Sequence, residues 1–286
     1  MNALSLFNGM SFGMMALETL GLPVTNYYSS EIDKHANRVT SNLFPDVIQL
    51  GDITKWREWD IDWASIDLII GGSPCQGVSL IGQGLGLEDD RSSLFFTYMD
   101  IVNHCIDYNR KVEFFLENTK MKDNDMQVIN EHMGIAPTMI NSNLLSAQNR
   151  KRVYWSSWNS TGIEQPKKPL SEILLIDVLD NPRKIPSSLQ YKTKSKCLRV
   201  GGRGSKMGDK HEWDSPYKVV GSLSKEQFDF YNSVRYSVKE LMKLQTVPSK
   251  YFDGICNAGV SNTQLLKMLG NGWTHNVITH IFKSII

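Results

Sequence analysis

The chain has 286 residues, 41% of them hydrophobic and 21% charged, which excludes a disordered or fibrous protein and allows one large core with a smaller one beside it. Its net charge of +1 hides a gradient: residues 1–149 hold 9 basic and 19 acidic side chains, residues 150–220 hold 15 and 7, and residues 221–286 hold 7 and 4. The acidic first half is unsuited to a polyanion, whereas the basic middle suits one, or is a well-solvated region rich in lysine.

In chain order, Ala3–Phe7 reads as a strand, Gly13–Leu20 as a helix, Tyr27–Glu31 as a strand and Lys34–Leu43 as a helix. A strand over Leu68–Gly71 follows, then a helix over Ser93–Tyr108, a strand over Glu113–Glu117, a helix over Met126–Met133 and a strand over Val153–Trp158. Such alternation implies an α/β fold, with a mostly parallel sheet covered by helices on both faces. Past Asn159, Pro166, Pro169, Pro182 and Pro186 interrupt the pattern. The expected division is a first domain over 1–158, a smaller one over 159–260, and a helical segment over 261–286 that packs back on the first.

The cysteines, Cys75, Cys105, Cys197 and Cys256, form no C-x-x-C pair, so neither a disulfide framework nor a zinc site is expected. The amino terminus lacks a basic region followed by a long apolar core, and no run of apolar residues is long enough to span a bilayer. A cytoplasmic, monomeric protein without metal or membrane is expected.

Phe7-Asn8-Gly9-Met10-Ser11-Phe12-Gly13 joins the first strand to the first helix. Glycines there let backbone approach a ligand at a helix amino terminus, although the spacing is not G-x-G-x-x-G. Glu31 ends the second strand, 22 residues after Gly9, where nucleotide-binding folds place a carboxylate on ribose hydroxyls; Asp52 is placed to meet an adenine. Together they favour an adenosine-containing cofactor.

Pro74 cannot extend a ladder, so it is expected to end the Leu68–Gly71 strand and hand Cys75 to a loop at the strand's carboxyl end. That edge suits a nucleophile, though a free cysteine is as readily a small buried hydrophobe. The strand ending in Glu117-Asn118-Thr119 brings a carboxylate to the same edge. Alone it would read as a helix cap; beside a thiolate it reads as a general acid. In Gln148-Asn149-Arg150-Lys151-Arg152, alternation points Arg150 and Arg152 to one face, where they suit a phosphate or a thiolate; three cations also guard a sheet edge.

These motifs, with Gly270-Asn271-Gly272-Trp273 at the end, occur in the order seen in DNA (cytosine-5)-methyltransferases, which the chain resembles over residues 3 to about 158 and again from about 262 to 280. Asn8 stands where many members have Ala or Asp, and Thr119 where many have Val. Gly272-Trp273 is closer to the de novo eukaryotic type, although a stand-alone bacterial or bacteriophage enzyme is expected.

The resemblance implies a Rossmann-like domain binding S-adenosyl-L-methionine through Phe7, Asn8, Gly9, Gly13, Glu31, Ile32, Asp52, Ile53, Pro74, Asn271 and Trp273, with a target-recognition domain in the basic region. It implies that double-stranded DNA has its cytosine flipped out and attacked at C6 by Cys75, with Glu117 at N3 and the exocyclic amine, and Arg150 and Arg152 positioning substrate. Gln76 and Ser79 lie in a loop expected to close over DNA; Lys194, Lys196, Arg199 and Arg203 are expected DNA contacts. Rival readings are a dehydrogenase, a tRNA cytosine-5 methyltransferase and a catalytically silent DNA-binding homologue.

Overall fold

The computed structural model describes residues 1–74, 93–167, 169, 171–180, 194, 195, 197 and 236–285. Cys75, Gln76, Ser79, Lys196, Arg199 and Arg203 lie outside the described residues. The chain forms two compact units. The first takes Met1–Ile140, Lys151–Gln165 and the chain from Ile278 onward; the second takes Asn141–Arg150 and described residues between Pro166 and Val277.

The first unit is built on a sheet of seven strands in the order β3-β2-β1-β4-β5-β7-β6. These are β1 (Asn2–Leu6), β2 (Asn26–Ser30), β3 (Ile48–Gln49), β4 (Leu68–Gly71), β5 (Glu113–Thr119), β6 (Thr138–Asn141) and β7 (Lys151–Ser156). Strands β1 to β5 pair in parallel, and β7 pairs antiparallel with β5. The order reverses direction between β1 and β4, whose carboxyl ends are the usual ligand edge of such sheets.

Helices α1 (Phe12–Thr19), α2 (Lys34–Leu43), α3 (Ser93–Tyr108) and α4 (Asp123–Met133) accompany the strands. Helix α2 starts where Asp33 accepts the amide of His35, one of the amides that a helix start leaves without a partner. Strand β4 is buried throughout, as expected of a central parallel strand. Its core cluster includes Leu4, Leu6, Ile69, Tyr98, Val102, Leu116 and Trp155. Each such side chain contributes about 2 kcal/mol on burial.

Two glycines show how closely the layers meet. A Cβ on Gly13 would lie 2.2 Å from Ile70 Cδ1 and 2.9 Å from Tyr27 Oη, so a side chain there would force its neighbours to shift. A Cβ on Gly71 would lie 2.9 Å from the Tyr98 ring. The ladder stops at Gly71, three residues before Pro74, so Pro74 does not end the strand as expected.

The last residues complete this unit. Phe282 meets the rings of Phe115 and Trp158 at 5.3 and 5.9 Å, and Asn159 Nδ2 donates to Ser284 Oγ at 2.8 Å. The second unit contains α5 (Leu175–Val178), α6 (Val238–Leu244), α7 (Phe252–Cys256) and α8 (Asn262–Asn271). Helix α9 (His275–Phe282) leads out of it into the first unit's closing residues. Among the described residues no helix is long and apolar enough to cross a membrane.

Candidate active site

The loop after β1 holds three left-handed residues within five positions: Phe7 (φ 57°), Gly9 (φ 57°) and Ser11 (φ 65°). Two of them carry side chains, at a cost of order 1–3 kcal/mol each, and strain of this kind gathers at binding sites. Glu31 fixes the loop from the end of β2. Its Oε2 accepts the Gly9 amide at 2.8 Å, while Oε1 accepts the amides of Ile32 and Asp33 at 2.9 and 2.8 Å. A carboxylate has about four acceptor positions, so one remains for a hydroxyl.

Ile32 beside it is 76% exposed, an unusual setting for a large apolar side chain at a sheet's carboxyl edge. Asp52 caps the next turn, its Oδ1 taking the amide and hydroxyl of Thr54 at 2.9 Å each. A strained glycine loop, an anchored carboxylate and an exposed apolar face fit a ligand with ribose hydroxyls and a flat base.

Two of the residues expected at the cofactor also serve packing. Gly13 is a packing glycine of α1 against β4, and the Ile53 side chain is 5% exposed in the core. Asn8 is buried, with its amide turned into the protein.

At the ends of β4 and β5, Asn118 Nδ2 donates to Ser73 Oγ at 3.0 Å, and both residues are buried. This bond ties the backbone two residues before Cys75 to the residue after Glu117. Because β7 runs antiparallel to β5, its first residues lie at the same edge. The register sets Thr119 opposite Arg152 and Glu117 opposite Tyr154, which makes Glu117 and Arg152 diagonal neighbours on one face. Arg152 Nε lies 3.0 Å from Glu117 Oε1, with side chains only 14% and 10% exposed. The carboxylate is thereby aimed by a guanidinium held to the same ladder.

Arg150 belongs to the second unit. It precedes the strand and is 2% exposed, and its Nη2 donates to the carbonyls of Gly270 and Gly272 at 3.1 and 2.8 Å within the second unit. The strand begins only at Lys151, so Arg150 lies outside the alternation from which a face shared with Arg152 was expected. Gln245, which the sequence did not flag, donates to the carbonyls of Leu269 (2.6 Å) and Gly272 (3.3 Å) and accepts from the Thr274 hydroxyl. Arg150 and Gln245 together fix the segment that carries Asn271 and Trp273.

Lys194 is likewise corrected as a DNA contact: its ammonium donates to the carbonyls of Ser146 and Ile173 at 3.0 and 2.6 Å and lies 3.1 Å from Glu172 Oε1. Three acceptors saturate its three protons. Among the described residues no three His, Cys, Asp or Glu side chains gather as a metal would need.

With this geometry in view, a family model described as C-5 cytosine-specific DNA methylase matches residues 1–197. The chain belongs to that family. Its relatives include the type II methyltransferase M.HpaII of Haemophilus parainfluenzae, 29% identical over 206 residues, covering 66% of this chain and 56% of the relative. Another is the type II methyltransferase M1.ScrFI of Lactococcus lactis subsp. cremoris, 29% identical over 279 residues, covering 87% and 68%. The chain spans about half the length of M.HpaII and of M.NgoBV of Neisseria gonorrhoeae. The solved Entamoeba histolytica methyltransferase EhMeth superimposes with a TM-score of 0.69 at 16% identity, over 100% of this chain and 98% of its own, a likeness of fold. The α/β architecture is thus the Rossmann-like one that the motifs imply.

Proposed function

We propose that this protein methylates C5 of cytosine in DNA, using S-adenosylmethionine and a covalent adduct between Cys75 and C6. The observation that carries the reading is the Glu117–Arg152 pair at the sheet edge where Asn118 also holds Ser73, two residues before Cys75. Glu31, Ile32, Asp52 and the Phe7–Gly9 backbone would hold the cofactor, with Asn271 and Trp273 as further candidates. When bound, it supplies an electrophilic methyl group.

The chain's own chemistry follows from residue type. A cytosine in a stacked duplex cannot be reached by a side chain, so the base must be flipped out. Glu117 accepts from the exocyclic amine and gives its proton to N3 as the Cys75 thiolate adds at C6, which makes C5 a carbon nucleophile. Arg152 keeps the Glu117 carboxyl facing the base. Once C5 carries the methyl group, loss of the C5 proton to a base expels the thiolate, and return of the N3 proton to Glu117 yields neutral 5-methylcytosine. Double-stranded DNA would be gripped mainly by the basic residues of 150–220.

DNA with 5-fluorocytosine at the target tests this. Fluorine cannot leave C5 as a proton, so the adduct should persist on a denaturing gel and map to Cys75; Cys75→Ser should trap none. Glu117→Gln should slow turnover by about a hundredfold to ten-thousandfold while largely sparing cofactor affinity. An adduct on another cysteine, or full turnover by Cys75→Ser, overturns the mechanism. Methylation of RNA but not of DNA assayed beside it overturns the substrate.

A further inference from the structure

Beneath the loop that follows β1 runs a line of polar side chains joined by hydrogen bonds. Tyr27 Oη lies 3.1 Å from Asn8 Oδ1, Asn8 Nδ2 lies 2.7 Å from Ser11 Oγ, Ser11 Oγ lies 2.9 Å from Thr40 Oγ1, and Thr40 Oγ1 lies 3.4 Å from the Gly9 carbonyl. All four side chains are buried. The Gly9 carbonyl can only accept, so the single Thr40 proton goes to it. Thr40 must then accept from Ser11, Ser11 from the Asn8 amide, and the Asn8 carbonyl from Tyr27. Burial pushes the Tyr27 phenol above its ordinary range, which keeps it a donor.

We infer that this directed chain sets the shape of the cofactor loop, with Asn8 and Thr40 acting as positioning residues through Gly9; the inference rests on the S-adenosylmethionine reading above. Gly9 is held on both sides, its amide by Glu31 and its carbonyl by Thr40. Both peptide groups around a left-handed residue are thereby fixed, so the loop presents one surface to a ligand. An amide suits the Asn8 position because it has an acceptor at one end and a donor at the other. Aspartate has the same shape but two acceptors. With Asp there, Ser11 would donate to residue 8, Thr40 would donate to Ser11, and the Gly9 carbonyl would lose its partner.

The test is calorimetry of S-adenosylmethionine and S-adenosylhomocysteine binding, alongside thermal unfolding, for the native protein and for Asn8→Asp, Thr40→Val, Tyr27→Phe and the double variant Tyr27→Phe/Thr40→Val. Each single variant should weaken binding about fivefold, the usual worth of one hydrogen bond. Tyr27 and Thr40 stand at opposite ends of one chain, so the double variant should bind no worse than the weaker single. Trp155→Phe, which removes the 2.9 Å bond to Asn130 Oδ1 elsewhere in the first unit, serves as the stability control and should bind normally. Native affinity in Asn8→Asp, effects that multiply in the double variant, or equal weakening by Trp155→Phe would each overturn the inference. A native protein that binds neither ligand removes the cofactor reading, and this inference with it.

Discussion

Cys105 is fully buried on α3, and burial pushes its thiol from an ordinary 9 up to about 12. In the unfolded chain the thiol ionises near its ordinary value, while in the folded protein it keeps its proton to about 12. Its contribution to stability is therefore complete below about pH 9 and disappears as pH rises from there to about 12. The melting temperature of the native protein should fall more steeply between pH 9 and 11 than that of Cys105→Ala, with parallel profiles below pH 8.5; parallel profiles throughout would show that Cys105 ionises alike in both states. The residues that the sequence misjudged share a cause with this one, since partners distant in the chain decide their roles. Alternation placed Arg150 with Arg152, but the ladder starts only at Lys151, and Arg150 instead finds carbonyls 120 and 122 residues away. Lys194 looked like a phosphate contact from its charge alone; its acceptors at Ser146 and Ile173 are invisible to any local pattern. The position of Glu117 was legible because its own strand delivers it to the sheet edge.

Elements were read best where local chemistry is strong. The bounds of α2, β4 and α3 match the apolar runs and, for α2, the Asp33 cap. Strand β5 runs two residues further than its apolar pattern because Asn118 and Thr119 pair with Val153 and Arg152 of β7. Strand β6 went unseen, being four residues without alternation strong enough to separate it from a turn. The seam between α1 and β4 offers a direct check on packing. Alanine favours a helix over glycine by about 1 kcal/mol, yet at position 13 its methyl would meet Ile70 Cδ1 at 2.2 Å. Gly13→Ala should destabilise the protein by about 1–3 kcal/mol in urea unfolding, and adding Ile70→Val, which removes that methyl group, should restore part of the loss. A stabilised Gly13→Ala would mean the seam is looser than the structure shows.

The first unit is assembled from three separate stretches of chain, the last beginning at Ile278. Phe282 covers Phe115 and Trp158, while the carbonyl of Ile281 accepts the Trp158 indole at 3.4 Å. Deleting residues 278–286 should leave those rings bare, lower the melting temperature of the first unit and raise its binding of an apolar dye; unchanged melting would show that these contacts contribute little. Phe115 precedes Glu117 by two positions on β5, so the strand that presents the carboxylate is backed by residues near the far end of the chain. The order of synthesis follows. A ribosome will have made both Glu117 and Arg152 before it makes Phe282, whose ring covers Phe115 on the strand that carries Glu117. The Glu117–Arg152 pair is thus synthesised well before the ring that covers the face of the sheet beside it.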